Sequence, residues 1–397
     1  MSLNGNYIVN GTPIKNKLQA LLEASKTTAK VQWTFFDEIF ESATKKFNKH
    51  EISLKELYRD RAQQLRDSYD YLILNYSGGS DSHNILMTFL EYGIKLDHIY
   101  IQWPEKLMDK GIYTPNAIDR TNANFHSEWD LVIKKDLEWL AKNHPEIKIE
   151  INDWTTTVKE QFYKDDIFAN DVSNLPSIAR AQKQNTFSTI EGTLALQGKK
   201  VASIFGVDKP CVVKQKNQWF FYFVDTACMA QPNPDNPHGT EYFYWSPNFP
   251  DIAIAQALAM KNYFEINKKN MYLVQSPSER ALIDPTFVHM NYEKHYFEYS
   301  IVSEISKLVC YPYWDFNRFQ ADKPFAVLDG FKMGTRAWDN ILTHVPDFDR
   351  VQQAWSYHWK SYLNQIDSRF MRNRDTLKYC QTKWHYLCNS TDNLINM

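Results

Sequence analysis

Residues 75–84 read NYSGGSDSHN, between the apolar run Tyr71–Leu74 and Ile85–Gly93, where apolar residues recur at helical spacing. A buried strand, a turn of glycine and serine, and an amphipathic helix in direct succession leave few folds open. They call for a layered α/β structure with right-handed crossovers. The first N–H groups of such a helix lack partners and carry partial positive charge, so that end binds anions. Gly78 and Gly79 let the backbone approach an anion closely, and Ser77, Ser80 and Ser82 add hydroxyl donors. The GxxxxGK[ST] spacing of a Walker loop is absent, and GxGxxG does not match. Asp81 is the anomaly, because a bare carboxylate repels phosphate. Either it caps the helix and braces the loop by accepting backbone N–H bonds, or it helps hold a Mg2+ ion bridging phosphates.

The same alternation continues downstream. Leu96–Trp103 reads as a second strand, Asn124–Asn143 as a long amphipathic helix and Ile147–Asn152 as a third strand. After a polar stretch containing SNLPSIARAQKQNT, a candidate mobile loop, come a short helix at Phe187–Gln197 and a strand within Lys199–Pro210. The expected fold is a doubly wound, mainly parallel, Rossmann-like α/β sheet. CVVKQKNQWFFYFVD then reads as a hairpin turning around Lys216, Asn217 and Gln218.

The flanks differ from this core. Residues 1–68 are polar and helical in pattern, with a capping box at Ser53 and Glu56. Past Asp225 strands give way to helical patterns at Pro250–Asn267, at Asn291–Val309 and from Asp347 onward. The expected organisation is an N-terminal helical segment (1–68), an α/β unit carrying the glycine–serine loop (69–225) and a mostly helical C-terminal unit (226–397).

Formal net charge is −2, so no global field draws the chain to nucleic acid or an anionic membrane. The local exception is Arg369–Tyr386, where basic residues interleave with aromatics. It is read either as the solvated face of a last helix or as a patch that grips phosphate or a nucleic-acid strand. Five cysteines, at positions 211, 228, 310, 380 and 388, form no CxxC pair and no zinc spacing. With no apolar signal core near Met1 and no stretch long enough to span a bilayer, the expected location is the cytoplasm.

The order strand–SGGSDS–helix resembles the PP-loop of the ATP pyrophosphatase superfamily (adenine nucleotide alpha hydrolase-like). Its members include asparagine synthetase, GMP synthetase, NAD synthetase, tRNA-thiolating enzymes and sulfonucleotide reductases. Every motif position is filled in Ser77–Ser82, and the resemblance extends over roughly Tyr69–Pro210. As a whole the chain resembles PP-loop proteins encoded by large phages. The resemblance implies that Ser77, Gly78, Gly79, Ser80, Asp81 and Ser82 grip the β- and γ-phosphates of ATP while the α-phosphorus is attacked, giving AMP and pyrophosphate. ATP and Mg2+ are the implied cofactors.

A second piece is FGVDKP, Phe205–Pro210. Ligands of doubly wound sheets lie outside the carboxyl ends of the strands, so Asp208 and Lys209 are expected at the same crevice. Lys209 would neutralise charge at the α-phosphate or on an anionic substrate. Asp208 would be a second metal ligand beside Asp81, or an orienting acceptor. The plainer alternative is a surface turn. Relatives carry GxR near this point, so the lysine is a departure. His83 is expected as an exposed first-turn residue. Arg180, Lys183 and Lys214 are weaker candidates from loops over the crevice, and His289, His295 and the second DKP at Asp322–Pro324 are read as surface or turn positions.

Sulfur delivery would ask for a cysteine pair, and an N-terminal glutaminase nucleophile is absent. The leading expectation is therefore an adenylating ligase or transferase that activates a carbonyl or carboxylate of a small molecule or nucleotide for attack by nitrogen. Two rivals stand beside it: a nucleic-acid-modifying enzyme using Arg369–Tyr386, and a non-catalytic ATP-binding sensor.

Overall fold

In the computed structural model the described residues are 5–15, 17–27, 29, 31–47, 53–102, 132–152, 188–206, 209–225, 235–236, 239–276, 278–279, 302, 305–314 and 380–390. Its first elements are strands. Asn6–Val9 (β1) pairs antiparallel with Thr12–Ile14 (β2) across a turn in which Asn10 and Gly11 have φ of 49° and 81°. Positive φ at both positions gives a turn whose twist suits a hairpin, which Asn-Gly favours. After helix Lys17–Thr27 (α1), Gln32–Thr34 (β3) joins the other edge of β1, with Trp33 opposite Tyr7 and both buried. The helical N-terminal layer expected from the sequence has its helices, and is corrected by a three-stranded sheet that the sequence reading did not include. Asp37–Lys46 (α2) and Leu54–Ser68 (α3) complete it, and the capping box is present: Ser53 N donates to Glu56 Oε2 at 2.9 Å and Glu56 N to Ser53 Oγ at 3.2 Å.

The central run follows the sequence pattern closely. Tyr71–Asn75 (β4), Ser80–Glu91 (α4), His98–Gln102 (β5), Lys134–Asn143 (α5), Lys148–Asn152 (β6), Thr189–Leu196 (α6) and Val201–Phe205 (β7) alternate as expected. Gly93, at φ 61°, follows the end of α4. The start expected for α5, near Asn124, lies outside the described residues, as do Trp103 and SNLPSIARAQKQNT. Cys211–Gln215 (β8) and Gln218–Tyr222 (β9) form the expected hairpin, with Lys216 at φ 53° in its turn.

Two later strands depart from expectation. Thr240–Tyr242 (β10) pairs in parallel with β7, and His385–Asn389 (β11) pairs antiparallel with β9. The chain beyond Asp225 is therefore not free of strands, and the end of Arg369–Tyr386 is strand, not helix. Asp251–Ile266 (α7) is helical as read, as are residues 305–310.

The parallel sheet has the order β10-β7-β4-β5-β6. Successive residues of β4 enter two different cores. Leu72 and Leu74 join the large core shared with α3, α4 and α7, while Ile73 packs with Tyr100 and Val201 beneath Ile190 and Leu194 of α6. A strand buried on both faces explains why YLIL lacks the alternation of a half-exposed strand. From β4 the chain builds outward through β5 and β6, then returns to β4's other side as β7. The carboxyl ends of β4 and β7 thus lie side by side where strand order reverses, the place where open α/β sheets hold ligands. No helix among the described residues is long and apolar enough to cross a membrane.

Candidate functional site at the reversal of strand order

The loop after β4 closes on itself through Ser82. Ser77 N donates to Ser82 Oγ at 3.2 Å, and Ser82 Oγ donates to the Gly79 carbonyl at 3.1 Å. Gly79 N reaches Ser77 Oγ at 3.4 Å. Gly78 has φ 75°, and a Cβ there would lie 2.5 Å from Ile133 Cγ1, just ahead of α5, so both conformation and space demand glycine. Gly79 is the residue before α4, at φ −68°. The first helical hydrogen bond runs from His83 N to the Gly79 carbonyl at 2.9 Å, which leaves the N–H groups of Ser80, Asp81 and Ser82 ahead of it. The Ser80 hydroxyl is buried and has no hydrogen-bond partner among the described residues.

From the other side, the exit of β7 presses on the same turn. A Cβ on Gly206 would stand 3.1 Å from both Asp81 C and Ser82 N. This approach brings Lys209 in, and its ammonium donates to Asp81 Oδ1 at 2.8 Å. The Lys209 side chain is only 3% exposed, that of Asp81 28%. Tyr311 also donates to Asp81 Oδ1, and Lys209 Nζ lies 3.3 Å from the Tyr311 hydroxyl and 4.7 Å from its ring centre. Tyr244 donates to the Asp81 carbonyl at 2.8 Å and receives Asn84 at 3.0 Å. Burial, reinforced by the Asp81 charge, raises the Tyr244 pKa well above its ordinary value, so the phenol stays a neutral donor.

The Asp81 carboxylate therefore has a third role beside the two expected of it, as the partner of a lysine and a tyrosine. It caps no backbone N–H among the described residues; it is paired with a lysine brought from the neighbouring strand. Its Oδ2 carries no hydrogen bond among the described residues. Asp208 lies outside the described residues, and these contain no cluster of three or more His, Cys, Asp or Glu side chains able to hold a metal.

Below the loop, Tyr76 donates to Asp136 of α5, and its hydroxyl is 3.3 Å from His83 Nδ1. His83 is buried, which corrects the expectation of an exposed first-turn histidine; its ring lies against Tyr76 and 3.9 Å from Asp136 of α5. Lys214 turns away to the hairpin, donating to the Lys216 carbonyl at 2.9 Å. Arg180, Lys183, His289, His295, the second DKP and residues 369–379 lie outside the described residues. Sequence reasoning missed Tyr76, Asp136, Gly206, Tyr244 and Tyr311. Gly206 stood inside the quoted FGVDKP; nothing marked the three tyrosines among 23. No family model, curated protein or solved structure matches the chain.

Proposed function

We propose that this chain is an adenylating enzyme of the PP-loop type, doubly wound, that cleaves ATP between the α- and β-phosphates to AMP and pyrophosphate. The observation that carries this is the meeting of Asp81 and Lys209 at 2.8 Å, which joins SGGSDS to FGVDKP at the reversal of strand order. The residues suit a polyphosphate: a glycine turn, three hydroxyls and the free end of a 12-residue helix. They suit a metal in part, since Asp81 offers Oδ2, with Asp208 next to Lys209 in sequence as the second candidate. Bound there, Mg2+ would offset the charge of the departing pyrophosphate.

The chain's own groups then have distinct tasks. The N–H groups of Ser80, Asp81 and Ser82, with the Ser77 and Ser80 hydroxyls, hold the β- and γ-phosphates, while the Ser82 hydroxyl braces the loop around them. Lys209, with one of its three N–H groups kept on Asp81 Oδ1, meets the charge on the α-phosphate as an acceptor oxygen bonds to that phosphorus and the bridge to the β-phosphate breaks. A nitrogen nucleophile then displaces AMP from the adenylated carbonyl or carboxylate of a small molecule or nucleotide.

The test is incubation with ATP, Mg2+ and pools of metabolites and nucleotides, with the nucleotide products resolved, beside a Ser77→Ala, Asp81→Ala double variant. AMP with pyrophosphate, lost in the variant, is the expected result. ADP with phosphate would sink the proposed cleavage. Tight ATP binding without turnover in any pool would favour a sensor, and strongly salt-dependent binding of an oligonucleotide would favour the nucleic-acid-modifying reading.

A further inference from the structure

Tyr311 comes from a distant part of the chain, yet the fold builds it into the loop. Residues 305–310 are helical and end on Cys310, whose carbonyl accepts from the Tyr58 hydroxyl of α3 at 2.7 Å. Gln256 of α7 donates to that hydroxyl oxygen at 2.9 Å. On the far side of Tyr311, the Tyr313 hydroxyl donates to Glu91 at the end of α4, and Lys55 of α3 pairs with the same carboxylate. Anchors before and after it thus tie Tyr311 to the two helices that flank β4. Its ring lies 5.4 Å from that of Tyr244, which itself holds the Asp81 carbonyl. Its hydroxyl donates to Asp81 Oδ1, the oxygen that also receives Lys209.

We infer that Tyr311 is a positioning residue of the ATP site, which with Lys209 occupies Oδ1 of Asp81 and leaves Oδ2 as the oxygen for a metal–nucleotide ligand. This rests on the ATP reading above. A carboxylate held by two donors on one oxygen cannot turn freely, so the second oxygen is presented in one orientation. Phenylalanine in place of Tyr311 would keep the ring beside Tyr244 and beneath the Lys209 ammonium, and both anchors. It would remove the hydroxyl, and with it the bond that fixes the carboxylate and the acceptor that Lys209 reaches at 3.3 Å.

The experiment measures Mg2+·ATP affinity by calorimetry for wild type, Tyr311→Phe, Asp81→Asn and the double variant. Tyr311→Phe is expected to weaken binding about tenfold, the scale of one hydrogen bond to a charged group. In the Asp81→Asn background it should add nothing, because Tyr311 acts through that carboxylate. In the nucleotide-free protein, acylation of Lys209 by acetic anhydride, read by peptide mass spectrometry, should be faster in Tyr311→Phe than in wild type. Equal weakening in both backgrounds, or unchanged affinity, would overturn the inference and leave the ATP reading standing. Failure of the wild type to bind Mg2+·ATP would remove the ATP reading, and the inference with it. If Asp81→Asn does not fold, the acylation rate decides, and an unchanged rate overturns the inference.

Discussion

Lys209 and Asp81 are 128 residues apart in the chain, and their charged groups meet at 2.8 Å. The two partners are unequally buried, 3% against 28% exposed side chain, so the pair is not symmetric in energy. Asp81→Asn takes the Asp81 counter-charge from a buried ammonium and is expected to destabilise by about 3 kcal/mol, near the lower end for breaking a buried pair. Lys209→Met leaves a carboxylate that water already reaches, and should cost clearly less. Urea unfolding of the two variants checks the order. A larger loss from Lys209→Met would mean that the pair is not the buried-lysine site described.

The two loop glycines make different demands. Gly78→Ala forces a side chain into φ 75° and into Ile133, so the turn itself should fail, with a loss of about 2 kcal/mol or more. Gly79 sits at φ −68°, and a Cβ there meets Ser77 Oγ at 3.4 Å, an ordinary contact. Gly79→Ala should keep stability within about 1 kcal/mol. If phosphate oxygens approach the Gly79 backbone, the same variant should nonetheless lose ATP affinity. Thermal unfolding together with a nucleotide-binding assay separates the two roles.

The parts of this arrangement that sequence made legible are those with local signals. β4, α4, β5, β6 and β7 were readable because buried apolar runs, helical spacing and punctuating glycines are written in contiguous residues. The Asn10–Gly11 hairpin carried such a signal too, but its strands are three and four residues long, too short to show their period. β11 was illegible for another reason: Arg369–Tyr386 looks like one amphipathic unit, and only pairing with β9 makes His385–Asn389 a strand. At the site, the SGGSDS turn announced itself. The tyrosines did not, since Tyr244 and Tyr311 matter only through a hydroxyl that tertiary packing aims at Asp81.

His98 of β5 gives the fold an acid sensitivity. Burial lowers its pKa to about 4, against the pull of Glu150, whose Oε2 lies 3.3 Å from Nε2. The folded chain therefore refuses a proton that the unfolded chain accepts near pH 6.5. Stability from the neutral ring is fully present above that pH and is lost as pH falls toward 4, by at most about 3 kcal/mol. Glu150, held low by the Thr189 and Ser188 donors that outweigh its own burial, loses stability in the same direction. His98→Gln should flatten the decline between pH 6.5 and 4 in denaturant unfolding. An unchanged slope would place the acid sensitivity elsewhere.

The short edge strand β10 depends on a second buried pair. Arg61 of α3, 2% exposed, donates to Glu241 at 2.7 Å and to the Tyr242 carbonyl at 3.1 Å, while the Tyr69 hydroxyl takes the other Glu241 oxygen at 2.5 Å. Three residues of parallel pairing are little to hold a strand, so α3 supplies the rest. Glu241→Gln leaves the guanidinium buried without its counter-charge and should cost about 3–5 kcal/mol. Replacing both charges, Arg61→Met with Glu241→Met, removes the orphan and should recover much of that loss, since an apolar pair needs no compensating charge. Hydrogen exchange at Thr240–Tyr242 locates the effect: in Glu241→Gln these amides should lose protection before those of β4. Because β10 flanks β7, loosening it should also free the exit that carries Gly206 and Lys209 to the loop, and Mg2+·ATP affinity should fall in the single variant and return in the double. Affinity that stays low in the double variant would show that the charges, not the seating of the strand, are what the site requires.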